Sequence, residues 1–166
     1  MAVQHRILGI DPGLRHTGWG MLLSEGPRLS YIAHGVISPA TDLPLAERLA
    51  TIFKGVEEVI GEWSPTCAGV EETLVNAGPQ SALKLGQARG AAMAALACSG
   101  VWVEEFAPRR IKQTVVGSGK ADKDQIAFMV TRLLPRAGKV SADAADALAC
   151  AICTAHHVPA SLRGAA

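Results

Sequence analysis

Apolar and polar positions follow two different periods along this chain. "RILGID" (6–11) is a short apolar run ending on a charge. "TGWGMLLSE" (17–25) and "LSYIAHGVIS" (29–38) follow, rich in branched and aromatic residues and separated by "GPR". Three consecutive strands are predicted. In "LPLAERLATIFKGVEEVIGEW", from residue 43, the apolar positions Leu45, Leu49, Ile52, Phe53, Val56, Val59 and Ile60 recur at helical spacing behind Asp42 and Pro44. That pattern predicts an amphipathic helix. "TCAGVEE" (66–72) predicts a fourth strand. "GPQSALKLGQARGAAMAALACSG" (78–100) predicts a second helix, with proline near its start and Gly100 past its end. "VWVEEFAP" (101–108) predicts a fifth strand. Pro108 to Thr114 is read as one helical turn, and "DKDQIAFMVTRLL" (122–134) as a helix stopped by Pro135. "SADAADALACAIC", from Ser141, opens the last helix, and the tail beyond His157 is expected to fray.

A three-strand meander followed by alternating helix and strand indicates an α/β domain whose later strands run parallel to the first. At 166 residues the chain fits one domain, taken as residues 1–157 with 158–166 as a disordered tail. No apolar run approaches the roughly 18 residues that span a bilayer, and "MAVQHRILGIDPG" reaches an aspartate and a proline before a signal-peptide core could form. A cytoplasmic protein is expected. Cys67, Cys98, Cys150 and Cys153 sit in apolar surroundings and are expected to be reduced and buried. The net charge of +1 conceals an asymmetry: eight basic and two acidic residues between Phe106 and Lys139 make that segment +6 and leave the remainder at −5. A basic face suits a polyanion, although charge alone describes a solvated surface equally well.

The informative acids are few. Asp11 ends the first predicted strand and Glu71 or Glu72 the fourth, at the carboxyl ends where open α/β sheets place their ligand crevices. Asp143 and Asp146 are three apart on a helix and so face the same way near its start. Each has a simpler explanation. "DPG" is good turn chemistry, the glutamates could face solvent, and Ser141, Asp143 and Asp146 all suit a helix N-terminus. Capping accounts for one of those aspartates more easily than for two. If the carboxylates converge, they offer the oxygen ligands that Mg²⁺ prefers. Two such ions roughly 4 Å apart can activate a water and neutralise the leaving oxygen of a phosphodiester. The basic segment would then hold a nucleic-acid backbone.

"GIDPGLRHTGWG", "SALKLGQARGAA", "PRRIKQTVVGSGKADKDQI" and "ADAADALA" resemble, in order and over nearly the whole length, the RuvC Holliday junction resolvases of bacteria. The resemblance implies a ribonuclease H-like fold: a five-stranded mixed sheet flanked by helices, with the first and fourth strands adjacent. It implies a homodimer that makes paired, symmetric nicks in four-way junction DNA with Mg²⁺ or Mn²⁺, two ions per site, in recombination and repair. It implies cooperation with the RuvA and RuvB branch-migration proteins, although no residue locates that surface. By motif, the catalytic and metal-binding carboxylates are Asp11, Glu71, Asp143 and Asp146; the resemblance chooses Glu71 over Glu72. Lys112 and Lys123 match lysines near the scissile strand, with charge stabilisation as their role. Lys84, Arg89, Arg109 and Arg110 are further candidates for backbone contact. Family members commonly carry phenylalanine just beyond the glutamate, where this chain has Leu74 and Val75. Leu74 is expected to act as an apolar wedge at the junction rather than a stacking platform.

Other readings are weaker. "DPGLRHTGWG" also looks like the first phosphate loop of sugar kinase and actin-type ATPases, which need two lobes. "GSGK" (117–120) lacks the earlier glycine and following hydroxyl of a P-loop. Cys150, Cys153 and His157 could share a helix face, but the helical period predicts apolar burial there instead of zinc. A branched-DNA-binding protein that no longer cuts is the alternative from another functional class. Gly86 and Gly90, four apart on the second helix, allow close approach of another backbone, either within the monomer or across a two-fold dimer.

Overall fold

The computed structural model describes residues 3–72, 78–159 and 162. β1 (Gln4–Asp11), β2 (Thr17–Glu25), β3 (Arg28–Ile37), β4 (Cys67–Glu71) and β5 (Trp102–Phe106) form one sheet in the order β3-β2-β1-β4-β5. The β1–β2 and β2–β3 pairs are antiparallel, while β1–β4 and β4–β5 are parallel. Parallel neighbours need a crossover. α1 (Leu45–Trp63) and α2 (Pro79–Cys98) provide those crossovers, and their buried faces share a core with Leu8, Ile10, Met21, Ala68 and Val70. The opposite face of the sheet, with Ile7, Leu22, Cys67 and Phe106, is covered by α3 (Pro108–Val116), α4 (Lys123–Leu133) and α5 (Ala142–His157). This is the five-stranded mixed sheet expected from the meander and the alternation that follows it.

α5 is the most enclosed helix. Every residue from Ala147 to Thr154 is buried, as are Ala144 and Ala145, so the helix is apolar nearly all round, as a core helix must be. Its path is set by glycines beneath it. Gly20, Gly9 and Gly69 pair in register across β2, β1 and β4, forming a side-chain-free row through the sheet. A Cβ on Gly9 would overlap the Ala147 carbonyl and Ala151, and one on Gly18 would overlap the Asp143 carbonyl. One on Gly69 would overlap the Thr154 hydroxyl, and one on Gly20 the Leu148 side chain. At Gly9 and Gly18 helix backbone therefore lies almost directly on strand backbone, and at Gly20 and Gly69 the Leu148 and Thr154 side chains fill the place a Cβ would take.

Three expectations change. α3 is nine residues long rather than one turn: Ile111 and Val115, four apart, both enter the core, and Gly117 at φ 86° stops the helix in the left-handed region. Cys98 is exposed, unlike the other three thiols, because it lies on the solvent side of the last turn of α2, whose Ala95 and Leu96 face the core. α4 starts one residue later than predicted, since Asp122 acts as its cap: the side chain accepts from the Gln125 N–H at 2.8 Å while Gln125 Oε1 accepts from the Asp122 N–H at 2.9 Å. Most of the tail beyond His157 lies outside the described residues. Among the described residues no helix is long and apolar enough to cross a membrane.

The glycine row is directly testable by thermal melting. Gly9→Val forces overpacking and is expected to cost about 2–3 kcal/mol, lowering Tm by roughly 5–10 °C. Gly61→Ala, on α1 with nothing within 4 Å of the new Cβ, should raise stability by about 0.5–1 kcal/mol. A Gly9→Val protein that melts with the wild type would contradict the close approach.

Candidate active site

Gly9-Ile10-Asp11 and Gly69-Val70-Glu71 run side by side, with Gly9 paired to Gly69 and Ile10 to Val70. Side chains alternate across a strand, so Ile10 and Val70 enter the α1/α2 core while Asp11 and Glu71 emerge on the α5 face at the carboxyl ends. On its other side Asp11 pairs with Gly18, the residue against which the Asp143 backbone lies. The first turn of α5 therefore stands over the two strand ends. Ser141 supplies the cap, its Oγ accepting from the Ala144 N–H at 3.4 Å, which leaves both aspartates of α5 free for another purpose. Glu72 is exposed, so strand alternation and the resemblance select the same glutamate.

The four acids feel one another. Burial raises the Asp11 carboxyl to about 8, helped by the negative charges of Glu71, Asp146 and Asp143. Burial also raises Glu71 to about 7, with Asp146 adding to the shift while Lys112, Lys123 and a hydrogen bond to Asp11 oppose it. Asp146 is pushed upward by burial and by Asp143, against the pull of Lys123 and Lys112. Half-buried carboxylates of one sign, held this close, favour the binding of a cation.

The basic candidates separate by position. Lys123 Nζ lies 3.8 Å from Asp146 Oδ2. Lys112 lines a hollow of about 30 Å³ with Glu71 and Asp146, walled by Ile111 and Ile126. Lys84 lines a cleft of about 670 Å³ that reaches Asp143. Arg89 is engaged within the protein: it pairs with Glu105, and its Nε donates to the Glu71 carbonyl at 3.2 Å, so it fixes the end of β4. Arg109 and Arg110 border a separate hollow of about 500 Å³ that contains none of the four acids, where Arg110 Nη2 lies 2.8 Å from His157 Nε2. Leu74 and Val75 lie outside the described residues. Cys150 and Cys153 are core residues, and His157 Nδ1 lies 2.7 Å from the Cys153 carbonyl. Sequence reasoning overlooked Arg15, His16 and Arg48, which line the cleft beside Asp143. Their signal was the pair of basic residues in "DPGLRHTG", outside the segment whose charge stood out.

A family model described as "Crossover junction endodeoxyribonuclease RuvC" matches residues 7–154. A protein of that name from Hyphomonas neptunium is 68% identical over 167 residues, 100% of both chains. The chain belongs to the RuvC family. The structure of RuvC from T. thermophilus in complex with Holliday junction substrate superposes with a TM-score of 0.86 at 31% identity, covering 95% of this chain and 97% of that one. A yeast mitochondrial Holliday junction resolvase shares the fold at 11% identity, with a TM-score of 0.66 over 95% of this chain and 85% of that one.

The donor set suits a hard divalent cation, since all four groups are oxygen donors and their mutual repulsion is what such a cation relieves. Among the described residues no three acid, histidine or cysteine side chains already close around one point. Mg²⁺ fits that openness, because it keeps several waters and shares itself between one or two carboxylates and substrate phosphates.

The raised carboxyls make metal-free stability depend on pH. Asp11 titrates near 8 when folded and near about 3.9 when unfolded. Its contribution to stability is therefore full below about 4 and lost as pH rises through about 8. Asp11→Asn should raise the metal-free Tm at about pH 8.5 by several degrees, with the difference shrinking toward about pH 5. Equal melting of the two proteins across that range would contradict the crowding of these acids.

Proposed function

We propose that this chain nicks four-way DNA junctions symmetrically, as a homodimer, by metal-dependent hydrolysis of phosphodiesters. The observation that carries the reading is the meeting of Asp11, Glu71, Asp143 and Asp146 at one end of the sheet, with Lys112 and Lys123 beside them. Two bound Mg²⁺ or Mn²⁺ ions would supply an activated water and neutralise the departing oxygen. Asp11 and Glu71 hold their oxygens on adjacent rigid strands, and Asp143 and Asp146 hold theirs from a buried helix. Both pairs thus meet an incoming phosphate with little freedom to move. Lys112 and Lys123 oppose part of the rise that burial imposes on the acids and offer N–H donors to non-bridging phosphate oxygens. Arg89 acts one step back, by fixing the Glu71 backbone.

A two-fold dimer matches the near two-fold symmetry of a junction and presents one site to each of two equivalent strands. α2 is the favoured contact: Gly86 and Gly90 are exposed with nothing within 4 Å of an added Cβ, and exposed Leu83 lies near them. Among the described residues nothing packs against those glycines. A strictly monomeric species in light scattering, at concentrations that give paired cuts, would contradict this contact. By resemblance alone, the enzyme works in the cytoplasm with the RuvA and RuvB branch-migration proteins. The alternative, a junction binder that does not cut, leaves the burial of three mutually repelling acids without purpose.

Cleavage of a synthetic four-way junction in Mg²⁺ decides between them. Wild type should nick two opposed strands, and Asp11→Asn or Asp146→Asn should lose at least about 100-fold in rate, with junction affinity changed by less than about threefold. Equal cutting by wild type and variants, or no cutting by any, would refute the proposal.

A further inference from the structure

The cleft beside Asp143 is lined by Arg15 and His16 from the β1–β2 turn, Arg48 from α1, and Ser81 and Lys84 from α2. Among the described residues none of the three cations Arg15, Arg48 and Lys84 has an acidic partner within 4 Å; the ion pairs present are Arg89–Glu105 and Lys123–Asp146. The turn carrying Arg15 and His16 is braced from within and from outside. Thr17 Oγ1 donates to the Gly13 carbonyl at 2.8 Å, the Gly13 N–H donates back to Thr17 Oγ1 at 3.3 Å, and Arg48 Nη2 donates to the Leu14 carbonyl at 3.0 Å. Arg48 Nε is buried and has no partner among the described residues. Both helices that border the cleft begin without a side-chain cap; α1 carries Glu47 in its first turn, whereas α2 has no acid there, so the positive end of α2 adds to the same field. Arg15 on the braced turn, Arg48 on α1 and Lys84 on α2 thus gather like charge around one cleft, and a polyanion relieves it.

Position decides which polyanion. The acids run across the sheet end from β2 to β4: Asp143 over Gly18 of β2, Asp11 on β1, Glu71 on β4. Lys112 and Lys123 sit at the Glu71 and Asp146 side, and the cleft opens at the Asp143 side. A strand held by the lysines and lying across the acids runs next into the cleft.

We propose that this cleft is a second phosphodiester track, in which Arg15, His16, Arg48 and Lys84 hold the DNA backbone on the side of the scissile phosphate opposite Lys112 and Lys123. The inference rests on the junction-cutting reading above. The ligand is a continuous nucleic-acid backbone, since one run of phosphates has to meet basic groups on both sides of the acids. Arg48 also positions the turn, whereas Arg15 and Lys84 are exposed and can be changed without disturbing the core.

Phosphate ethylation interference on a four-way junction, with Ca²⁺ to hold binding without cutting, tests the track. Wild type should need phosphates on both sides of the nick. Arg15→Gln/Lys84→Gln should lose that need on one side alone, and Lys112→Gln/Lys123→Gln on the other. The slope of log affinity against log salt should fall by about 1 for each backbone contact removed, hence by about 2 for the cleft variant. The single Arg15→Gln and Lys84→Gln proteins, checked by melting, should each give about half of that change in slope. An unaltered slope and interference pattern in the cleft variant overturns the track while leaving the nuclease reading intact. Loss spread evenly over both sides also overturns it, since that marks a general charge effect. Failure of wild type to bind the junction overturns the functional reading and the track together.

Discussion

The contact between the backbone of α5 and the glycine row of the sheet governs the placement of everything else in the site. Gly9, Gly18, Gly20 and Gly69 put no side chain of their own between strand and helix, so α5 sits lower on the sheet than it could over strands carrying ordinary core residues. Its alanines complete the fit from above. Only at that depth does the first turn of α5 bring Asp143 and Asp146 level with the ends of β1 and β4. The same tripeptide pattern, glycine then branched apolar then acid, serves both strands. The glycine admits the helix, the apolar residue anchors the opposite face, and the acid emerges where the helix begins.

That geometry has an electrostatic consequence. Bringing carboxylates together in a partly buried place is unfavourable, and Asp11 and Glu71 register it by holding their protons to about 8 and about 7. Burial is the larger cause for both, with neighbouring acids adding to it. The lysines offset part of this from outside but do not enter between the acids: Lys123 stops at 3.8 Å from Asp146 and remains exposed. A divalent cation held by these acids would relieve that cost, and such differential stabilisation is how a fold ties its own packing to a cofactor.

The strands, the two crossover helices and the helix bearing the aspartate pair were legible from periodicity, because each buries one face or all of itself in a regular pattern. α3 was shortened in the reading because its two buried residues, Ile111 and Val115, are too few to declare a period, and its end depends on the conformation of Gly117. The pairing of Asp11 with Glu71 was half legible. The matching Gly-x-acid tripeptides are visible in the sequence, but the parallel register that sets them side by side is not. Arg89 looked like a DNA contact by its charge, and only the fold reveals Glu105 and the Glu71 carbonyl beside it. The basic cleft escaped notice for the converse reason: Arg15, His16, Arg48 and Lys84 are scattered over three elements and converge only in space.

The central claim is that α5 and the strand ends gather these acids for a divalent cation. Calorimetric titration of Mg²⁺ or Mn²⁺ into the protein near about pH 7, in two buffers of different ionisation enthalpy, tests it most directly. The account predicts saturable binding with net release of protons, as the raised carboxyls of Asp11 and Glu71 give theirs up to the metal, and a smaller release from Asp11→Asn. Binding without proton release, or no binding at millimolar metal, would contradict it.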